Sequence, residues 1–201
     1  MNAQKISTII FDLGTVLINI DVHAFANTLG LRTEEQRLPY KDDIKKNIIR
    51  YESGKITTEQ FIEENRKIFQ NKFSPQEIQN AWNNILLGEN EEINFIVEKI
   101  QKKYHTAILS NTSAVHWEIA LHYPIVKKFY KYFLSFEIGY VKPQQEIYHH
   151  VVQSMSTPPN TILFIDDIAE NIDGAKSCGI NGIVFENAMQ LESEFQKLSL
   201  I

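Results

Sequence analysis

A chain of 201 residues, 43% hydrophobic and 22% charged, is long enough to bury one α/β domain, or a core domain with a modest insertion. Its net charge of -5 favours neither nucleic acid nor an anionic membrane surface as partner, so an anionic substrate needs local positive charge from a metal or a placed lysine. A single cysteine, Cys178, excludes a disulfide within the chain and fits a reducing, cytoplasmic setting.

In chain order, KISTIIFDL (Lys5 to Leu13) reads as the first strand. The apolar stretch Ile6 to Ile20 is interrupted by Asp12 and lacks a small-residue cleavage site, so it reads as a buried strand and its loop and not as a secretion signal. From about Asp21 to Asn90 only helical pattern is visible, with Thr57 or Thr58 and Ser74 (before Pro75) as helix caps. That stretch is expected to form a small helical cap, 21–90, inserted after the first strand of a core built from 1–20 and 91–201. A helix is expected over Glu91 to Lys103, then strands at Thr106 to Asn111, Phe133 to Glu137, Thr161 to Asp166 and Gly182 to Phe185. Helices fit Ala114 to His122, Gln144 to Met155 with Pro143 in its first turn, Ala169 to Cys178 with Gly179 just past its end, and Gln190 to Leu198. Cys178, in AKSCGI, reads as a small buried hydrophobe. Strand alternating with helix predicts an α/β fold, a Rossmann-like parallel sheet flanked by helices. No apolar run reaches membrane-spanning length.

Ligands of an open parallel sheet bind at the carboxyl ends of its strands. Asp12, Gly14 and Thr15 follow the first strand, Ser110 and Asn111 end the second, and Lys142 follows the third. Asp166 and Asp167 end the fourth, with Asn171 one turn on. Three carboxylates, a hydroxyl and a lysine on one face suit phosphoryl transfer: a carboxylate can attack phosphorus, and a hard cation such as Mg²⁺ screens its repulsion from phosphate. Ser110 and Lys142 are expected to stabilise charge on the transferring oxygens, and Lys142 to keep Asp12 ionised. Adjacent Asp166 and Asp167 repel one another unless a positive charge is near.

IIFDLGTVL, AILSNTS, GYVKPQQEIY and FIDDIAENIDGAKSCGI resemble the four ordered motifs of the haloacid dehalogenase-like superfamily, spanning nearly the whole chain. The branch most resembled contains bacterial α-D-glucose-1-phosphate phosphatases. The resemblance implies a Mg²⁺-dependent phosphatase with a helical cap, acting on a small phosphorylated metabolite such as a sugar-1-phosphate through an aspartyl-phosphate. Carried over, Asp12 is nucleophile and metal ligand, and the Gly14 carbonyl is a second ligand. Asp167 is a direct carboxylate ligand, with Asp166 binding directly or through water. Ser110, Asn111, Thr15 and Lys142 contact the phosphoryl group.

Gly14 is a departure, because the phosphatases of this superfamily usually carry an acid/base Asp there. Its absence favours esters of acidic hydroxyls, and Gly14 is the one residue that favours another reading, a catalytically impaired binding or regulatory protein. A 2-haloacid dehalogenase is a further alternative from the same family, whose dehalogenases carry a Tyr at this place and no paired Asp, so Gly14 and the paired Asp166 and Asp167 argue against it. A mutase would need the missing acid. His116 and Trp117 follow the second motif and are expected to pack; Arg50, Tyr51 and Glu52 stand in the cap with no sequence signal for substrate contact.

Overall fold

The computed structural model describes residues 6–201, so Lys5, expected to open the first strand, lies outside the described residues. Five parallel strands form the main sheet: β1 (Thr8–Phe11), β4 (His105–Ser110), β5 (Tyr132–Leu134), β6 (Ile162–Asp166) and β7 (Asn181–Val184), in the order β5-β4-β1-β6-β7. β1 is central because both its edges are paired, Ile10 standing beside Ala107 on one side and Phe164 on the other.

The period-2 alternation of the strands feeds two cores. Ile9, Phe11, Ile108, Leu163 and Ile165 turn to one face, with the helices Asn94–Gln101, Ala114–Ala120 and Ala188–Lys197. Ile10, Ala107, Leu109, Ile162 and Phe164 turn to the other, against the helices Gln145–Met155 and Ala169–Ser177. This is the α/β sheet expected from the alternation of elements. Among the described residues no helix is long and apolar enough to cross a membrane.

Four details differ from expectation. β3 (Leu86–Glu89), in the stretch 21–90 expected to be free of strands, pairs antiparallel with β2 (Ile18–Ile20), which lies in the expected loop after the first strand. The two strands are three and four residues long and irregular in register, too short to print an alternation on the sequence. The segment Phe133 to Glu137 is strand only to Leu134; Ser135–Ile138 is a helical turn. Pro143 precedes its helix and is not in the first turn, because Val141 and Gln144 close a turn on each other: Gln144 N–H donates to the Val141 carbonyl (2.9 Å) and Val141 N–H to Gln144 Oε1 (2.9 Å). Cys178 is half-buried, not enclosed.

Between β2 and β3 lie the helices Lys41–Glu52, Thr58–Ile68 and Pro75–Asn83, with shorter turns before them. Thr57 and Ser74 cap the second and third through reciprocal bonds with Gln60 and Glu77. Phe25, Tyr51, Phe61, Phe69, Ile78 and Trp82 bury one another in a separate apolar cluster. The insert touches the sheet domain through Trp82, whose indole N–H donates to Ser113 Oγ (3.2 Å) and whose carbonyl lies 2.9 Å from His116 Nε2.

Candidate active site

The turn after β1 sets the first functional group. Asp12 N–H donates to the Ile165 carbonyl (2.8 Å), continuing the ladder, and the chain then turns back as Leu17 and Ile18 N–H both bond the Leu13 carbonyl. Thr15 has φ 61°, a conformation a β-branched residue holds only under constraint. Its hydroxyl lies by Asp167. Gly14 has no side chain, and a Cβ there would meet Ile20 Cδ1 at 3.2 Å.

Lys142 joins the strand ends. Its ammonium lies 2.8 Å from Asp12 Oδ1 and 2.6 Å from Asp166 Oδ2, and donates to the Leu109 carbonyl (3.2 Å). Its side chain is 1% exposed, so these are desolvated contacts that water cannot replace. Asn111 positions it: Nδ2 donates to the Lys142 carbonyl (3.0 Å) and Lys142 N–H donates to Oδ1 (2.7 Å). Both ends of that amide, expected to meet phosphate, are thus engaged in holding Lys142.

Asp166 is fully buried and accepts from Lys142, from Ile168 N–H (2.8 Å) and from Asn171 Nδ2 (3.0 and 3.1 Å). Asp167, by contrast, is half-buried. Asp12, Asp166 and Asp167 each bring a carboxylate oxygen within 4.8 Å of the others, the separation at which one cation can be shared. An all-oxygen donor set of this charge suits Mg²⁺.

On the protein's own charges, burial pushes the Asp12 carboxyl up to about 7, against the downward pull of Lys142, and Asp166 pushes the same way as burial. Lys142 thus acts on Asp12 in the direction expected of it, opposing burial and the Asp166 charge. Asp167 is also raised, by burial and then by the Asp166 charge.

Beside the carboxylates lies a cavity of about 220 Å³. Gly14, Ser110, Asn111 and Thr112 line its sheet side; Ile48, Glu52, Trp82 and Ile85 line it from the insert. His116 also faces it, stacked on Trp82 with ring centroids 4.5 Å apart. Burial pushes His116 down to about 4, so it stands there neutral. Glu52 gave no signal in sequence, because a glutamate at the end of an amphipathic helix is ordinarily solvated.

A family model described as haloacid dehalogenase-like hydrolase matches residues 9–185. The chain belongs to the haloacid dehalogenase-like hydrolases. It is 27% identical over 206 aligned positions to a D-ribitol-5-phosphate phosphatase of Bacteroides thetaiotaomicron, covering 94% of this chain and 96% of the relative. A crystal structure of a family enzyme from the same organism, holding magnesium and inorganic phosphate, has a TM-score of 0.76 at 26% identity and covers 92% of this chain and 98% of its own. A family hydrolase from Porphyromonas gingivalis, 22% identical with a TM-score of 0.77 over 95% of this chain and 98% of its own, shares the fold. The carboxylate trio Asp12, Asp166 and Asp167 of this haloacid dehalogenase-like chain fits the magnesium ion that the Bacteroides thetaiotaomicron crystal structure holds.

Proposed function

We propose that this haloacid dehalogenase-like hydrolase is a magnesium-dependent phosphatase of small phosphorylated sugars or polyols, working through an aspartyl-phosphate on Asp12. The observation that carries the reading is the Asp12–Lys142–Asp166–Asp167 cluster, beside a cavity whose lining includes Gly14, Ser110 and Asn111. Asp12, the Gly14 carbonyl, Asp167 and Asp166 would hold the metal, with Asp167 the freer carboxylate and Asp166 already saturated by protein donors. Bound metal would supply the positive charge that lets phosphate approach an anionic nucleophile. Lys142 balances the charge of Asp12, and Ser110 stands at the cavity wall to meet the phosphoryl oxygens. The insert, taken as 21–90, acts as the cap over a core of 1–20 and 91–201.

Within this class two ester types are favoured by different observations. Position 14 offers no proton, which suits an acidic leaving hydroxyl such as the anomeric oxygen of a sugar-1-phosphate. The relative named for D-ribitol-5-phosphate, an ester of a primary alcohol, speaks for the other. Turnover of a panel of sugar and polyol phosphates, with magnesium and after chelation, tests the reading. Hydrolysis only with the metal is expected; full activity after exhaustive chelation would overturn the metal assignment. Phosphate binding without turnover of any ester would mark a binding or regulatory protein instead.

A further inference from the structure

Every phosphoryl transfer to Asp12 leaves an oxygen that must be protonated unless it is already a good leaving group. Position 14, next but one to the nucleophile, cannot supply that proton, and Ile20 Cδ1 fills the space a side chain there would first enter. The cavity beside Asp12 therefore has to be searched for another acid. Among its lining residues only two titrate, Glu52 and His116. His116 is held by the Trp82 carbonyl and by stacking on the Trp82 ring, and is neutral. As a neutral imidazole its remaining ring nitrogen accepts and does not donate. Glu52 closes the helix Lys41–Glu52 and lines the same cavity as Gly14, Ser110 and Asn111.

Resting on the phosphatase reading above, we infer that Glu52 of the cap is the general acid and base of this site, protonating the leaving oxygen in the place of the missing side chain at position 14. The chemistry balances on named atoms. Asp12 Oδ bonds phosphorus as the bond to the ester oxygen breaks. That oxygen keeps the electron pair and takes the proton from the Glu52 carboxyl, leaving as the alcohol. Water then attacks phosphorus and gives a proton to the Glu52 carboxylate. The bond to Asp12 breaks with its electron pair returning to the carboxylate, and inorganic phosphate is freed with Glu52 reprotonated.

The surroundings suit both halves of that cycle. Ile20, Val22, Ile48 and Trp82 line the same cavity, and burial pushes the Glu52 carboxyl up to about 7, the range in which an acid and its conjugate base are both accessible. The one charge acting on it appreciably is that of Lys142, which pulls the other way and is outweighed. No hydrogen bond from the described residues contributes to its state, so the carboxyl is available to a substrate. Tyr51 next to it stacks into the cap cluster on Phe61, which fixes the end of the helix that carries it.

The test is the dependence of kcat/KM on leaving-group pKa, for the magnesium-loaded protein and for Glu52→Gln, across esters from nitrophenyl to alkyl and polyol phosphates. The variant is expected to lose ~10²- to 10⁴-fold on alkyl and polyol esters. The loss should shrink steadily as the leaving group becomes more acidic, so that the slope steepens. Glu52→Asp, which keeps an acid but draws it back by one methylene, is expected to fall between the two, and Gly14→Asp placed on Glu52→Gln to flatten the slope again if Ile20 gives way. A loss of equal size on every ester, or no loss on any, would overturn the role of Glu52 while the phosphatase reading stands. Absence of turnover by the unaltered protein on every ester overturns both.

Discussion

At the scale of single residues, the two strongest expectations concern Asp12 and Lys142. Asp12→Asn exchanges the proposed nucleophile for an amide and is expected to lower kcat by at least ~10³-fold, the scale of losing a catalytic nucleophile. Phosphate should still bind, because a repelling charge has gone. Steady-state kinetics beside phosphate titration checks both halves, and near-native turnover would exclude a route through this carboxylate. Lys142→Met leaves Asp12 and Asp166 facing each other without their shared cation. Breaking a buried pair costs roughly 3–5 kcal/mol, so the melting temperature should fall by several degrees and recover in part with magnesium. A melt unchanged by the substitution would mean that the ammonium is not buried between the two. Asp12, Asp166 and Asp167 were legible because each stands at the end of an apolar strand, whereas Lys142, beyond the helical turn Ser135–Ile138, was legible only through the motif GYVKP. Asn111 was legible as a position but not as a role: its amide serves the backbone of Lys142, 31 residues away, and no local pattern encodes such a contact. Glu52 was not legible at all, since its meaning comes from which cavity the helix end reaches.

At the scale of elements, the long apolar runs of β1, β4 and β6 announced themselves, and so did Thr57 and Ser74 as caps. β2 and β3 did not, because Asn19 pairs with Gly88 across the whole insert, a contact no local pattern encodes. The helix Ala114–Ala120 supplies a further expectation. His116 is buried on it, with its titration pushed from an ordinary 6.5 down to about 4 by desolvation. Between those values the unfolded chain binds a proton that the folded chain refuses. Stability from this residue is therefore complete above about 6.5 and drains away as pH falls towards 4, by roughly 3 kcal/mol at about 1.4 kcal/mol per unit. Carboxyls whose titration is raised, such as Glu52, act in the opposite sense, so the comparison must be between proteins. His116→Gln, which can keep the donor to the Trp82 carbonyl, should melt with a shallower loss between pH 6.5 and 4 than the unaltered protein. Parallel curves would show that His116 does not titrate as a buried base.

At the scale of the whole molecule, the residues assigned to the metal and the residue assigned to proton transfer come from different parts of the chain. Asp12, Gly14, Asp166 and Asp167 stand on the sheet, whereas Glu52 arrives on the inserted helices, and the two parts meet near Glu52 at Gly54. Gly54 has φ 66°, and an added Cβ would run into the Phe136 carbonyl. Only a glycine lets the end of the helix Lys41–Glu52 lie this close to the sheet domain. Gly54→Ala should then displace the insert at the one place where it delivers Glu52, at a cost of about 1–2 kcal/mol for the left-handed backbone alone. The residues proposed to hold the metal lie outside the insert and should be untouched by that displacement. A ligand binding only the folded state at 100 times its Kd stabilises by about 2.7 kcal/mol, and the magnesium-induced rise in melting temperature should be of this order in both proteins. Turnover of polyol phosphates should fall in Gly54→Ala while the response to magnesium persists. If the magnesium response were lost together with turnover, the metal site would depend on the seating of the insert, and the sheet domain could not be regarded as holding the cation by itself.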